Sequence, residues 1–228
     1  MQISKNGITV EVPIGLPTNG NVKDGYQVFL QEETDKLIRQ HVEALTYLPK
    51  YVWREWSRIL HPFAGLGVTA QVLDKGTGRQ LTHRMWERDK VCYDYLKEQG
   101  YNVQLVDDSY KALNREVLDG FDAVIMDPTA GTIKTPGMVQ FWDAAAAARV
   151  PLVWVTDSAC SKIWLHKDHY KPEFGRHVED AEDYLRAYND FLRGRGYTIV
   201  EALREPSVVY FVAVRDLGVK PFDRIVRL

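Results

Sequence analysis

Residues 59–70 read ILHPFAGLGVTA. An apolar lead-in breaks at Pro62, passes Gly65 and Gly67, and resumes as an apolar pattern. This order predicts a strand that turns sharply into a helix, because glycine adopts dihedrals and allows close approaches that a Cβ atom forbids. We expect backbone N–H groups at the start of the helix to offer a site for an anionic or strongly polar ligand group. Tight turns also use glycine for steric reasons alone, so the rest of the chain must discriminate between the two explanations.

The bulk composition is that of an ordinary globular protein. With 228 residues, of which 45% are apolar and 26% charged, the chain can build the core of one sizeable α/β domain. The net charge of −2 excludes a wholly basic nucleic-acid coat but leaves room for a local basic patch.

The cysteines and the apolar runs bear on the compartment. Cys92 and Cys160 are far apart and have no metal-ligand spacing, which indicates a reducing environment without a disulfide scaffold. No apolar run approaches membrane-spanning length, and the N-terminus lacks a signal pattern. We expect a soluble, cytoplasmic protein with no membrane partner.

The hydrophobic pattern divides the chain into an N-terminal arm with a helical layer, residues 1–57, and a main domain, residues 58–228. In the main domain, strands and helices alternate through five strands and are followed by a long helix and a terminal hairpin. This order predicts an α/β fold with a mostly parallel seven-stranded sheet, a terminal antiparallel hairpin and helices on both faces. In such sheets ligands bind beyond the carboxyl ends of the strands.

Acidic residues follow the second, third and fourth predicted strands of the main domain: Glu87, Asp108 and Asp127. A single acid there is commonly the N-cap of the next helix. Several acids along one sheet edge indicate a binding pocket instead. An acid at the end of the second strand suits the two hydroxyls of a ribose, and one after the third could accept the exocyclic amine of adenine. The sequence therefore predicts a nucleoside-containing ligand.

This series resembles the class I S-adenosylmethionine-dependent methyltransferases, whose fold is Rossmann-like. The turn at residues 61–67 is similar to the D-P-F-x-G-x-G turn of amino-methylating nucleic-acid methyltransferases, and the similarity covers roughly residues 58–215. The resemblance implies S-adenosylmethionine as cofactor, with its ribose on Glu87 and its adenine beside Asp108 and Ser109. It implies that the methionine end lies at the turn, against His61, Phe63, Ala64, Gly65 and Gly67. A NAD-binding Rossmann domain is the competing family, but it usually has a third glycine where this chain has Ala70, and it rarely ends in such a hairpin.

The segment that begins at Asp127 stands where this family has D-P-P-Y or D-P-P-F. The resemblance implies that Asp127, Pro128 and Thr129 form the catalytic site, where Asp127 holds the acceptor amino group and also borders the cofactor. Methyl transfer depends mainly on the orientation of the reacting atoms. Thr129 and Ala130 depart from the family motif, so the aromatic residue that would stack on a flipped base is missing.

A second departure lies in the turn itself, where His61 takes the place of the family's acid. A neutral histidine can still form hydrogen bonds there, whereas a protonated one would repel the cationic groups of the cofactor.

A basic segment interleaved with aromatic residues runs from 162 to 177. Its cations suit a single-stranded or flipped nucleic acid, and we expect Lys162, Lys167, Lys171 and Arg176 to contact it. A solvated loop is the alternative. His166 and His169 lie in this segment without a third ligand at a recognised spacing, so no metal site is expected.

Four tryptophans are interpreted as core or interface anchors: Trp53, Trp56, Trp142 and Trp154. The leading hypothesis is a methyltransferase that acts on an amino nitrogen of a nucleic-acid base. Two alternatives stay open: a fold that has lost catalysis and serves in binding or assembly, and a small-molecule methyltransferase.

Overall fold

A computed structural model describes residues 1–13, 32–128, 131–159, 168–205, 208–216 and 218–228. The chain forms two compact units, Met1–Ser109 and Tyr110–Leu228. The sequence-based division into residues 1–57 and 58–228 stays a prediction.

The first unit begins with the predicted N-terminal hairpin. Strands β1 (Gln2–Lys5) and β2 (Ile8–Glu11) pair in antiparallel fashion. Asn6 and Gly7 join them with φ angles of 48° and 79°. An Asn-Gly pair with two positive φ angles is the turn that matches the twist of a tight hairpin.

The rest of the first unit alternates strands and helices. The elements are α1 (Glu32–Leu45), a 3₁₀ turn (Pro49–Tyr51), β3 (Arg58–His61), α2 (Val68–Thr77), β4 (Thr82–Glu87), α3 (Lys90–Glu98) and β5 (Asn102–Leu105). Strand β4 pairs in parallel with β3 on one side and with β5 on the other. The connecting helices bury apolar side chains in a cluster made by Ala70, Met85, Leu96 and Val103.

The described residues of the second unit form short and long helices and five strands. The elements are α4 (Ser109–Ala112), which starts at the last residue of the first unit, α5 (Arg115–Leu118), β6 (Ala123–Met126), α6 (Met138–Ala148), β7 (Leu152–Asp157), α7 (Lys171–Phe174), α8 (Ala181–Arg193), β8 (Thr198–Arg204), β9 (Val209–Val214) and β10 (Val226–Arg227). Its strand order is β10-β8-β9-β7-β6. β6 and β7 are parallel, and β9 runs antiparallel to both of its neighbours.

Aromatic side chains fill the core of the second unit. Trp142 and Trp154 are fully buried, as predicted for anchors of the core. The indole N–H of Trp142 donates to the Tyr188 hydroxyl at 2.9 Å, so its one polar atom is satisfied.

The predicted α/β fold is confirmed, with a mostly parallel sheet and a terminal antiparallel hairpin. Residues 109–118 form two short helices, because the Asn114 side chain accepts the Val117 N–H and caps the second one. The two-residue strand β10 pairs with β8 and was not predicted. In the part of the chain that the structure describes, every helix is too short or too polar to cross a membrane.

Candidate functional site

The glycine turn follows strand β3 directly, as predicted, and its two glycines serve different purposes. Gly65 and Gly67 have φ angles of 52° and 72°, in the left-handed region that favours glycine. A Cβ atom on Gly67 would lie 2.9 Å from Leu96 Cδ2, so this glycine lets helix α2 pack closely on its neighbours. A Cβ atom on Gly65 would meet no other atom within 4 Å. The space beside Gly65 is therefore open to the close approach of a ligand.

The backbone N–H groups of the turn itself, ahead of helix α2, are engaged within the protein. The N–H of Ala64 donates to Trp86 O at 3.0 Å, that of Gly67 donates to Ala64 O at 2.9 Å, and that of Gly65 donates to Glu87 Oε2 at 2.7 Å. The chain uses these donors to hold the turn against the end of β4. Among the described residues, no side chain caps the start of helix α2. The backbone N–H groups in the first turn of this helix are therefore the donors that can face a ligand.

Glu87 is the last residue of β4 and lies almost completely buried, with 6% of its surface exposed. Its carboxylate accepts the Gly65 N–H through Oε2 and the N–H groups of Arg88 and Asp89 through Oε1, each at 2.7 Å. Burial raises the pKa of this carboxyl, and the three N–H donors oppose that effect only in part. An ionised carboxylate has about four acceptor positions, so one position on Oε2 is left for a ligand hydroxyl.

The three backbone hydrogen bonds limit how many ribose hydroxyls the Glu87 carboxylate can accept. Two ribose hydroxyls cannot both bind the carboxylate unless one backbone bond is given up. One hydroxyl can bind while the Gly65 tether stays intact.

Ser109 and Asp108 follow β5. The Ser109 hydroxyl donates to the Pro62 carbonyl at 2.5 Å and is buried, which ties the end of β5 to the glycine turn. The Val106 N–H donates to Glu87 O at 2.9 Å and joins the ends of β4 and β5. Asp108 lies next to Ser109 and is half-buried. Within the first unit, the structure therefore brings the turn, Glu87, Asp108 and Ser109 to one end of the strands, while their contacts with a cofactor stay predictions.

His61 is the last residue of β3 and is 2% exposed. Its Nε2 lies 2.9 Å from His83 Nδ1, and His83 Nε2 lies 2.9 Å from Asp74 Oδ1. When both rings are neutral, the Asp74 carboxylate fixes both tautomers: His83 donates to Asp74, and His61 donates to His83. The sequence does not reveal these hydrogen bonds, because Asp74 lies on α2, thirteen residues after His61.

The charge of His61 follows from this environment. Burial, together with the nearby charge of His83, holds the pKa of His61 well below its ordinary value. A neutral ring removes the expected repulsion of a cationic ligand. The carboxylate that the related motif has at this position is replaced by an imidazole directed at His83, so the assignment of His61 to the cofactor stays a prediction.

Asp127 and Pro128 follow β6 directly, at its carboxyl end. The Tyr210 hydroxyl donates to Glu205 at 2.6 Å, and its pKa is raised by burial, by Glu205 and by the charge of Asp127. Asp127 and Tyr210 thus belong to one electrostatic environment. Pro128 meets Gly131, where an added Cβ atom would lie 2.3 Å from Pro128 Cγ. Thr129 lies outside the described residues.

Asp157 is not among the predicted site residues. It is fully buried at the end of β7, where it accepts the Ala159 N–H at 2.8 Å and the Tyr184 hydroxyl at 2.7 Å. A backbone bond from Ile133 also reaches it, and the next residue, Ser158, donates its N–H to Gly131 O at 2.9 Å. Burial raises the pKa of the Asp157 carboxyl to about 7. Asp157 and Ser158 therefore hold the segment that folds back on Pro128.

The basic segment is only partly described, since Lys162 and Lys167 lie outside the described residues. Lys171 is the exposed first residue of α7. Arg176 is engaged in an ion pair with Asp183, at 2.5 Å between Nη1 and Oδ1. The aromatic residues here serve the core: Tyr170 is 1% exposed, and Phe174 packs against Tyr184 and Tyr188. The nucleic-acid contacts of these four cations stay predictions, and Tyr170 is not a free stacking surface.

Within the described residues, no group of three or more histidine, cysteine, aspartate or glutamate side chains is arranged to hold a metal ion.

Comparison with known proteins identifies the fold. The sequence matches no protein-family model and no curated protein sequence. Among solved structures, the chain is similar to Trm1 from Pyrococcus horikoshii in complex with S-adenosyl-L-methionine, with a TM-score of 0.64 and 10% identity over 95% of this chain. The match spans 62% of the Trm1 chain.

Two further solved structures support the same fold. The magnesium protoporphyrin IX methyltransferase ChlM from Synechocystis PCC 6803, with bound SAH, has a TM-score of 0.56 and 10% identity over 85% of this chain and 93% of its own. A SAM-dependent methyltransferase from Aquifex aeolicus has a TM-score of 0.50 and 12% identity over 84% of this chain and 97% of its own. The chain has the Rossmann-like fold of these methyltransferases.

Proposed function

We propose that this protein is an S-adenosylmethionine-dependent methyltransferase that acts on an amino nitrogen of a nucleic-acid base. The observation that carries the proposal is the bond between the Gly65 N–H and the Glu87 carboxylate. This bond joins a glycine turn with an open side to a buried acid at the end of the next strand. A nucleoside cofactor needs both features, an open backbone for close approach and a carboxylate that accepts a ribose hydroxyl. Trm1 and ChlM, which share the fold, were solved with S-adenosyl-L-methionine and SAH.

The residues of the first unit would bind and orient the cofactor. Gly65 would allow its close approach, Glu87 would accept one ribose hydroxyl on Oε2, and Asp108 with Ser109 would border the adenine. Neutral His61 leaves the turn without a positive charge that would oppose a sulfonium ligand. When bound, the cofactor supplies an electrophilic methyl group.

Asp127 would orient the acceptor. Its carboxylate can accept a hydrogen bond from an amino group, which directs the nitrogen lone pair away from the acid and toward the methyl group. Methylation leaves one proton to be released from the nitrogen, and a carboxylate at this position can pass it to water. Pro128, held against Gly131, would form one wall of the acceptor pocket, and Thr129 would extend that wall.

A second candidate is a binding or assembly protein with this fold and no catalysis. It is favoured by His61, which stands where the related motif has an acid and is committed to His83. A small-molecule methyltransferase is a third candidate, and the solved structure of ChlM shows that the fold also occurs in a porphyrin methyltransferase.

Transfer of a labelled methyl group separates these candidates. Wild-type protein is incubated with methyl-tritiated S-adenosylmethionine and, in parallel, unfractionated RNA, denatured DNA or a mixture of small amines. We expect label in a nucleic acid, at least tenfold less label with Asp127→Asn, and unchanged label with the control Asp119→Asn, whose acid is exposed ahead of β6. Label in the small amines alone would favour the third candidate. Absence of transfer to any acceptor, from a protein that binds the cofactor, would contradict the proposal.

A further inference from the structure

A pair of tryptophans, Trp53 exposed and Trp56 half-buried, precedes strand β3, at the opposite end of the strand from the glycine turn. Trp53 is 61% exposed, which is unusual for so large an apolar side chain. Its ring stacks on that of Trp56, with 5.0 Å between centroids and 17° between planes. Trp53 is therefore not an anchor of the core, and its other predicted role, as an anchor of an interface, stays a prediction.

The pair is held in place by the backbone and by Arg79. The Trp56 N–H donates to Trp53 O at 3.0 Å and closes a tight turn with one tryptophan at each end. The Arg79 guanidinium donates to the carbonyls of Trp53, at 3.2 Å, and Arg54. The stacked rings are thus a preformed surface whose geometry is set before any partner arrives.

The charges around the pair are mostly positive. Arg54 and the acid Glu55 lie between the two tryptophans in the sequence, and Arg79 donates to the carbonyls of the turn. Arg54 is exposed, and its side chain makes no ion pair within the described residues.

We propose that Trp53, stacked on Trp56 and flanked by Arg54, is a docking platform for a base of single-stranded nucleic acid. Bases stack on exposed aromatic rings regardless of sequence, while neighbouring cations contact the phosphates. The four residues of strand β3, a length of roughly 13 Å, separate the platform from the glycine turn. A small acceptor cannot occupy both places, whereas a nucleic acid can. The proposal rests on the proposed function for its biological sense and deepens it by naming a second contact with the same substrate.

Fluorescence anisotropy with a labelled, mixed-sequence 15-nucleotide RNA and its duplex tests the platform. We expect wild type to prefer the single strand and Trp53→Ala to bind it roughly 5- to 150-fold more weakly, the loss expected for one stacked base. Trp53→Phe keeps a ring and should recover part of the affinity. Arg54→Ala should flatten the salt dependence by about one phosphate contact. The matched control is Leu105→Ala, which truncates another exposed apolar side chain of the same unit, 54% exposed, and should bind as wild type does.

Two results would overturn the proposal: equal affinity of wild type and Trp53→Ala, or a change of oligomeric state in Trp53→Ala by sedimentation, which would identify the pair as a protein interface. The assay contains no S-adenosylmethionine. If RNA binding depends on Trp53 in a protein that does not bind S-adenosylmethionine, the platform stands and the proposed function fails. If the protein transfers the methyl group but wild type and Trp53→Ala bind RNA equally, the proposed function stands and the platform fails.

Discussion

The Glu87 carboxylate accepts the backbone N–H of Gly65 at 2.7 Å, so the acid at the end of β4 shapes the glycine turn that follows β3. Hydrogen bonds to a buried charged group are among the stronger ones in proteins. The two features that the sequence suggested as separate parts of a pocket are therefore one structural element. A change at either residue should be felt at the other.

Gly65→Ala and Gly67→Ala should separate ligand approach from packing. Both place a side chain in the left-handed region, at about 1–2 kcal/mol. At Gly67 the Cβ atom also collides with Leu96, so we expect a loss of unfolding free energy that is larger by about 1–3 kcal/mol. At Gly65 the Cβ atom enters open space, and we expect weaker cofactor binding from a protein that stays folded. Urea denaturation and calorimetry measure the two effects, and wild-type cofactor affinity in Gly65→Ala would show that the ligand lies elsewhere.

The buried histidine predicts a pH-dependent stability. The unfolded chain protonates His61 near its ordinary pKa of about 6.5, whereas the folded protein resists protonation. The stabilising effect of the neutral ring is thus complete above pH 6.5 and is lost as the pH falls toward the folded pKa, by up to about 1.4 kcal/mol per pH unit. His61→Gln keeps a donor for His83 without titrating.

The free energy of unfolding of wild type minus that of His61→Gln should therefore shrink between pH 6.5 and 5. Parallel curves for wild type and His61→Gln would mean that His61 is not held neutral.

Asp157 predicts the opposite dependence on pH. Its folded pKa of about 7 lies above the ordinary value of 3.8, so the folded protein keeps a proton that the unfolded chain releases. Stability from this group is present at acidic pH and is lost as the pH rises through 7. Asp157→Asn does not titrate, so its stability relative to wild type should rise by about 2–3 kcal/mol between pH 5 and 7.

Tyr184→Phe is the companion variant for Asp157. The Tyr184 hydroxyl stabilises the carboxylate, and its removal should raise the pKa of Asp157 further and extend the loss of stability to higher pH. An unchanged pH profile in both variants would show that Asp157 does not titrate in this range.

The sequence was sufficient for the features that depend on local pattern. The strand-to-helix turn at Gly65 follows from two glycines after an apolar run. Glu87 was found because acids at strand ends meet at one sheet edge. These features need only neighbours along the chain or along one edge.

The contacts between distant residues could not be predicted in the same way. The hydrogen bonds that link His61 to His83 and His83 to Asp74 depend on the register of β3 and β4 and on the packing of α2. Neither the register nor the packing produces a recognisable pattern in a single sequence. The hydrogen bond from the Gly65 N–H to Glu87 and the exposure of Trp53 likewise depend on tertiary structure. The tryptophans illustrate the limit: Trp53 and Trp142 are the same residue type, and only the fold decides that one is exposed and the other buried.

Calorimetric titration of S-adenosylmethionine into wild type and Glu87→Gln tests whether Gly65 and Glu87 form a cofactor site. The glutamine presents an amide N–H₂ to backbone donors and loses the charge that accepts the ribose hydroxyl. We expect saturable binding by wild type, binding weaker by roughly 10- to 100-fold in Glu87→Gln, consistent with the loss of a charge-assisted hydrogen bond, and wild-type affinity in the exposed control Glu98→Gln. Absence of binding by wild type at concentrations that reveal a millimolar Kd, or equal affinity of wild type and Glu87→Gln, would contradict a cofactor site built on Gly65 and Glu87.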